Sequence, residues 1–292
     1  MRRKKDIIAA WLFLAPAIIV FLALVAYPIL FSGYASLTKW KFTDGVNGMK
    51  WTGFQNYQNL VKDINFKAAV QNTFIYTLVS VPISILLALI FSYLLNNKVL
   101  GAKVLRTFYF IPYVANAVAI AALFFSWFRA DGMINSLLGL FGVPAAKWLT
   151  DSVLCKIPVI FMLIWTILGY LIIIYMGALQ NVPADLYEAA EIDGASKLQQ
   201  FGHITVPLVS QTTFYLLVVR MIDVFKVFTS VNILSMGSAL KANSSIVLEV
   251  YNTAFGRTYN FGKACAESWV LVFIILIFTA VQFVGEKKWV HY

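Results

Sequence analysis

Six long apolar runs, each about the length a helix needs to cross a bilayer, constrain this chain more than any other feature. A hydrocarbon core about 30 Å thick calls for roughly 20 mostly apolar helical residues. The runs lie at about Ile7 to Phe31, Phe74 to Leu95, Val104 to Phe128, Ile157 to Leu179, Val206 to Val231 and Trp269 to Val284. With 61% hydrophobic and 12% charged residues over 292 positions, the chain is too apolar for a soluble domain of its size. The expected fold class is all-α, a polytopic membrane protein with six transmembrane helices. No low-complexity linker interrupts it, so residues 1–292 are expected to form a single transmembrane domain with core helices over about 68–284.

Arg2, Arg3, Lys4 and Lys5 precede the first run like the basic start of a signal peptide. That run is too long and lacks a small-residue cleavage site, so it is expected to be a retained helix. Its flanking cations favour a cytoplasmic segment 1–6, and six crossings return Lys287 and Lys288 to the same side. Counted over all loops, Lys and Arg divide almost evenly between the faces. The N-terminal cluster and the short segment with Lys98, Lys103 and Arg106 weigh more, because charges in long loops steer insertion poorly. The segment of about 180–205, between the fourth and fifth spans, is then cytoplasmic.

The formal net charge of +10 suits anionic lipid headgroups, and no aromatic-basic motif suggests nucleic acid. Cys155 and Cys265 cannot build a metal site by themselves; they are two buried thiols or, less often for such pairs, a disulfide. Trp40, Trp51, Phe54, Tyr57, Tyr251 and Tyr259 lie in the long outer segments, where interface anchoring is the commoner task of aromatics and receiving an external partner the other. Prolines at 16, 28, 82, 112, 158 and 207 fall within or beside the spans, and each removes a backbone donor that a straight helix uses.

Between the fourth and fifth spans the text turns polar: Glu188-Ala189-Ala190, three residues, Gly194, nine residues, Ile204, one residue, Val206-Pro207. Pro183 suits a first helical turn, and Asp185, Glu188 and Glu191 place negative charge towards its positively polarised end, so a helix should start near Ala184. Ala189 and Ala190 allow another protein close to the backbone, Leu186 and Tyr187 supply apolar contact, and Gly194 can turn the chain. A helix lying passively on the bilayer would favour Lys and Arg. This one carries Asp185, Glu188, Glu191 and Asp193 against Lys197 alone, so it reads as a knob for a groove in a cytoplasmic partner.

These residues resemble the cytoplasmic coupling loop of membrane permeases in ATP-binding-cassette (ABC) importers, with Val206 where that pattern usually has Leu. Glu188 to Ser196, read as EAAEIDGAS, and His203-Ile204-Thr205-Val206-Pro207 are similar to the carbohydrate-importing branch, as are Leu14-Ala15-Pro16 and Tyr27-Pro28. The resemblance implies a bacterial inner-membrane subunit that pairs with a second related permease. It also implies an ATPase dimer bearing ATP and Mg, and an extracytoplasmic solute-binding protein that delivers an oligosaccharide. Glu188, Ala189, Ala190, Asp193, Gly194, Ile204 and Pro207 would then couple to the ATPase. No cofactor is expected on this chain. It has no GxxxxGK[ST] loop, nucleophile elbow or HExxH motif, so it is not expected to be an enzyme.

Charges within a span usually face protein or water. Arg220, Asp223 and Lys226, spaced by three, fall in the fifth run. Either Arg220 and Asp223 pair internally with Lys226 reaching outward, or the group meets substrate. Small polar residues are more usual at this place in the family, and a guanidinium can grip a carboxylate through two parallel hydrogen bonds. An acidic, uronate-bearing oligosaccharide is therefore one expectation. Another anion such as a phosphorylated polyol is a second, and an ion-coupled carrier using Asp223 is a third. Trp165 and Tyr170 in the fourth span offer flat faces to sugar rings, with Tyr170 favoured because Gly169 beside it leaves room. His203 has no histidine partner but His291, so hydrogen bonding rather than metal ligation is its expected task.

Overall fold

The computed structural model describes residues 2–96, 102–237, 242–256, 259–287 and 289–290. It is helical nearly throughout, and its contacts gather into two units, Met1–Asp63 with Val250–Val270 and Ile64–Glu249 with Leu271–Tyr292.

In the first unit, α1 (Arg2–Phe21) passes through a π-turn at Leu22–Ala26 into α2 (Tyr27–Ser36). The stretch Ala9–Ser36 is 28 residues long, more than enough at about 1.5 Å per residue to cross a bilayer. Phe13, Leu24 and Leu30 on it are exposed, as suits a helix solvated by lipid. A short hairpin follows, β1 (Thr38–Lys39) against β2 (Lys50–Trp51), with Thr38 opposite Trp51. Next comes α3 (Gln55–Lys62), whose Asn56 donates to the carbonyls of Ser36 (2.8 Å) and Thr38 (2.9 Å) and ties the hairpin down. Gly262 passes so close to the hairpin that a Cβ there would lie 2.1 Å from the Thr38 carbonyl oxygen.

The second unit is built on α4 (Ile64–Asn96), which packs most extensively on α8 (Lys156–Leu179). Around this pair lie α5 (Ala102–Val114), α6 (Ala117–Trp127), α7 (Met133–Leu140), α12 (Ser210–Phe225) and α13 (Thr229–Leu234). Tyr76, Val81, Phe124, Leu171, Ile172 and Tyr175 are buried in the core they share. One face of α4 is polar although buried. Asn72 donates to the Ser244 carbonyl (3.0 Å), Thr73 accepts from the Ile246 amide (3.0 Å) and the Tyr76 hydroxyl bonds to Asn243. These bonds satisfy the backbone of a non-helical stretch that precedes α14 (Ile246–Tyr251), as burial requires. The last helix, α15, runs from Phe261 to Glu286.

Among the described residues, four helices are long and apolar enough to cross a membrane unaided: Ala9–Ser36, Ile64–Leu95, Lys156–Leu179 and Phe261–Glu286. The other two expected spans need correction, because neither is one straight helix. Thr107–Val114 and Ala117–Trp127 meet at 103°, and Lys197–Leu208 and Ser210–Phe225 meet at 67°; six crossings result when each bent pair counts as one. The first break falls just after Pro112, where the Asn116 side chain accepts from the amides of Val118 (2.8 Å) and Ala119 (3.4 Å) and starts a new helix. The second falls at Val209 (φ −97°, ψ 10°), two residues after Pro207. Pro82, by contrast, sits inside an unbroken α4, so a proline alone did not locate the breaks. Cys155 and Cys265 are not joined by a disulfide.

Candidate functional site

The segment between the fourth and fifth spans folds as two short helices in a tight turn. Pro183 is the residue just before the first of them, with extended ψ of 130°, rather than in its first turn; α9 then runs Ala184–Ile192. Asp193 ends α9, and Gly194 follows with φ +79°. The Gly194 amide bonds to the Glu191 carbonyl (3.1 Å) and the Ala195 amide to the Ala190 carbonyl (2.8 Å), which closes the helix with a Schellman turn. Nothing lies within 4 Å of where a Gly194 Cβ would be, so glycine is favoured there by its left-handed backbone and not by space. Ser196 opens α10 (Lys197–Gln200) with a capping box: its hydroxyl accepts from the Gln199 amide, and the Gln199 side chain accepts from the Ser196 amide at 2.7 Å. A π-turn at Phe201–Thr205 leads into α11 (Val206–Leu208) and the fifth span.

The corner is cross-braced. The Tyr187 hydroxyl lies 2.9 Å from that of buried Thr205, linking α9 to the approach of the fifth span. Buried Gln200 donates to the Ala195 carbonyl (3.3 Å). Lys197 pairs with Glu191, and that hydrogen bond holds the Glu191 carboxyl below its usual range. His203 shares a 3.1 Å contact through Nδ1 with the Gln199 carbonyl.

Between the two helices lies a cleft of about 370 Å³, lined by Ala190, Asp193, Gly194, Ala195, Gln199, Gln200, His203 and Ile204. Of the motif residues, Ala190, Asp193, Gly194 and Ile204 come together there, Glu188 and Ala189 are exposed on α9, and Pro207 stands apart on α11. The surface is thus a notched corner, not only the knob expected from the sequence. Ala195, Gln199 and Gln200 were missed as parts of it, although Ser196-x-x-Gln199 is a capping-box signature that announces a second helix.

The intramembrane charges do not form the pair considered from their spacing. Arg220 is buried, its Nη2 donates to the Leu163 carbonyl on α8 at 2.6 Å, and its Nε has no hydrogen-bond partner among the described residues. Asp223 and Lys226 are exposed, and no Arg220–Asp223 ion pair occurs among the described residues. Trp165 packs on Phe124 (5.5 Å) and Trp127 (6.5 Å) in an internal aromatic cluster. Tyr170 differs: its ring stacks on Tyr113 of α5 at 4.9 Å, and Tyr215 of α12 lies close enough to interact with its hydroxyl electrostatically. Tyr113 is 42% and Tyr215 52% exposed, so three helices contribute to one open tyrosine surface near the Asp223 charge. The room expected beside Gly169 is occupied. A Cβ there would lie 2.0 Å from the Tyr109 carbonyl oxygen, so the glycine lets α5 lie against α8 and bring Tyr113 to Tyr170. No group of three His, Cys, Asp or Glu suited to a metal occurs among the described residues.

The profile of the family described as "binding-protein-dependent transport system inner membrane component" matches residues 72–286. The lactose transport system permease protein LacF of Rhizobium radiobacter is 34% identical, covering 99% of this chain and 97% of its own. The sn-glycerol-3-phosphate transport system permease protein UgpA of Agrobacterium fabrum is 30% identical over 98% of this chain and 97% of its own. A crystal structure of a bacterial ABC transporter involved in the import of the acidic polysaccharide alginate contains a chain that superposes with a TM-score of 0.82, at 25% identity, covering 99% of both. The chain therefore belongs to the binding-protein-dependent inner-membrane component family, as an ABC permease subunit that is no enzyme itself and works with a second permease, separate ATPase subunits and a binding protein.

Proposed function

We propose that this chain is one transmembrane subunit of a sugar importer that receives an oligosaccharide from an extracytoplasmic solute-binding protein and passes it inward by alternating access. Residues 1–292 act as one permease domain, with the termini and the loop of about 180–205 on the cytoplasmic side, where the ATPase dimer binds. Energy comes from ATP hydrolysed on those subunits rather than from an ion at Asp223.

The ATPase engages the notched corner through Glu188, Ala189, Ala190, Asp193, Gly194 and Ile204, with Pro207 at the root of the fifth span. Support for this reading lies in the bracing. A corner closed by a Schellman turn, a capping box and the Tyr187–Thr205 bond moves as one piece, so a push on α9 reaches the bend at Val209. Beyond that bend, α12 carries Tyr215, Arg220 and Asp223, and Lys226 caps its C-terminal end. ATP-driven closure of the ATPase pair would tilt α12 and open the pathway outward, and hydrolysis would reset it.

The observation that carries the substrate class is the open surface of Tyr113, Tyr170 and Tyr215, on which sugar rings can lie flat while hydroxyls bond to the phenols and to the Asp223 carboxylate. Exposed Lys226 and the unpartnered Arg220 Nε supply the positive charge for an acidic, uronate-bearing sugar. The likeness to permeases for lactose and to an alginate importer supports a carbohydrate. The relative that carries sn-glycerol-3-phosphate supports a second reading, a phosphorylated polyol bound by the same cations.

Uptake of labelled neutral, uronate-bearing and phosphorylated candidates by the assembled transporter in proteoliposomes separates these readings. Tyr170→Ala should raise KM roughly fivefold for sugars, as expected for loss of one aromatic contact. Lys226→Gln should impair acidic substrates alone. Uptake of neutral sugars only, unaffected by Lys226→Gln, would remove the acidic assignment.

A further inference from the structure

The leg Lys197–Leu208 has two unlike sides. Gln199, Gln200, His203 and Ile204 face the coupling cleft, whereas Lys197, Leu198 and Phe201 join Ile90, Tyr93 and Leu94 of α4 in a second groove of about 360 Å³. Phe201 packs edge-on against Tyr93 at 4.9 Å, and the Tyr93 hydroxyl donates to the Lys197 carbonyl at 3.4 Å, so the groove has a fixed floor. Leu198 is 80% exposed at its lip.

Leu86, outside the groove, and Ile90 and Leu94, within it, are exposed at successive i, i+4 positions of α4, an apolar stripe along a membrane-crossing helix that runs directly into the groove. The stripe is the shape of an acyl chain. Where it ends, the single charged lining residue is Lys197, with its side chain largely exposed. Lys197 already binds the Glu191 carboxylate on α9, which shows that its ammonium is placed to take an anion.

We propose that this groove is a phospholipid site, in which an acyl chain lies along Leu86, Ile90 and Leu94 and an anionic headgroup meets Lys197. Apolar lining continuous with the bilayer-facing stripe, together with a cation at its mouth, favours a lipid over a protein segment. The headgroup competes with Glu191 for Lys197. A bound lipid therefore loosens one brace of the coupling corner while wedging α4 against the leg, so membrane composition tunes coupling.

The test places a photo-crosslinking amino acid at Leu198 in the assembled transporter, reconstituted in phosphatidylglycerol or phosphatidylcholine vesicles, with mass spectrometry of the adducts. The expected result is a lipid adduct about fivefold more abundant in phosphatidylglycerol, the preference one lysine confers beside an anionic headgroup. Lys197→Gln should abolish that preference, Lys197→Arg should keep it, and Glu191→Gln, which frees the ammonium, should strengthen it. Adducts to the ATPase or the second permease would show that protein covers the groove. Lipid adducts indifferent to headgroup and to Lys197 would show bulk bilayer contact only. Either would overturn the proposal. Because ATPase attachment is scored in the same sample, loss of the lipid site is distinguishable from failure of the coupling assignment.

Discussion

At the scale of single residues, the corner proposed to couple to the ATPase depends most on Gly194. Its φ of +79° costs an ordinary L-residue about 1 kcal/mol or more, least for asparagine and most for β-branched side chains, while the open space around it would accept any of them. Gly194→Asn should therefore retain the ATPase subunit on purification, whereas Gly194→Val should weaken its attachment and uncouple ATP hydrolysis from uptake. Equal behaviour of the two variants would show that the turn is not what the ATPase reads. The glycine was legible in the sequence because a polar helix ended there and a left-handed residue was needed. The partner of Arg220 was not. Spacing by three brings Arg220 and Asp223 to neighbouring positions on one helix, but it says nothing of the Leu163 carbonyl on another helix, which takes the guanidinium instead.

At the scale of elements, hydrophobic length identified every span, but its continuity hid two bends. Apolar composition is the same for a straight helix and for two legs at 103°, and the deciding feature, Asn116 capping α6, is one polar residue within an apolar run. The tyrosine surface was half legible for a similar reason. Tyr170 stood out beside Gly169, yet its partners Tyr113 and Tyr215 come from helices whose neighbours only packing reveals. Gly169 is the point of closest approach, with α5 backbone where a side chain would stand. Gly169→Ala should force α5 away from α8, lower stability by about 2 kcal/mol as overpacked cores do, and separate Tyr113 from Tyr170. Thermal unfolding of the assembled transporter in detergent measures the first effect, and substrate KM the second. An unchanged melting temperature would contradict the close approach.

At the scale of the whole molecule, the proposed function joins an ATP-consuming partner outside the membrane to a pathway within it through one braced corner. Composition announced the membrane, and a polar insert between the fourth and fifth spans announced the partner. The notch, the linkage from Tyr187 to Thr205 and the second groove became visible only when residues 18 positions apart in the linkage, and 104 apart for Tyr93 and Lys197 of the groove, were placed together. The most direct test is affinity co-purification from the native membrane of the wild-type chain and of a Glu188→Arg, Gly194→Trp double variant. Wild type should bring down a second permease and an ATPase subunit, and the variant should keep the permease while losing the ATPase. A variant that retains the ATPase and transports normally would contradict the coupling corner as the point where ATP-driven motion enters this chain.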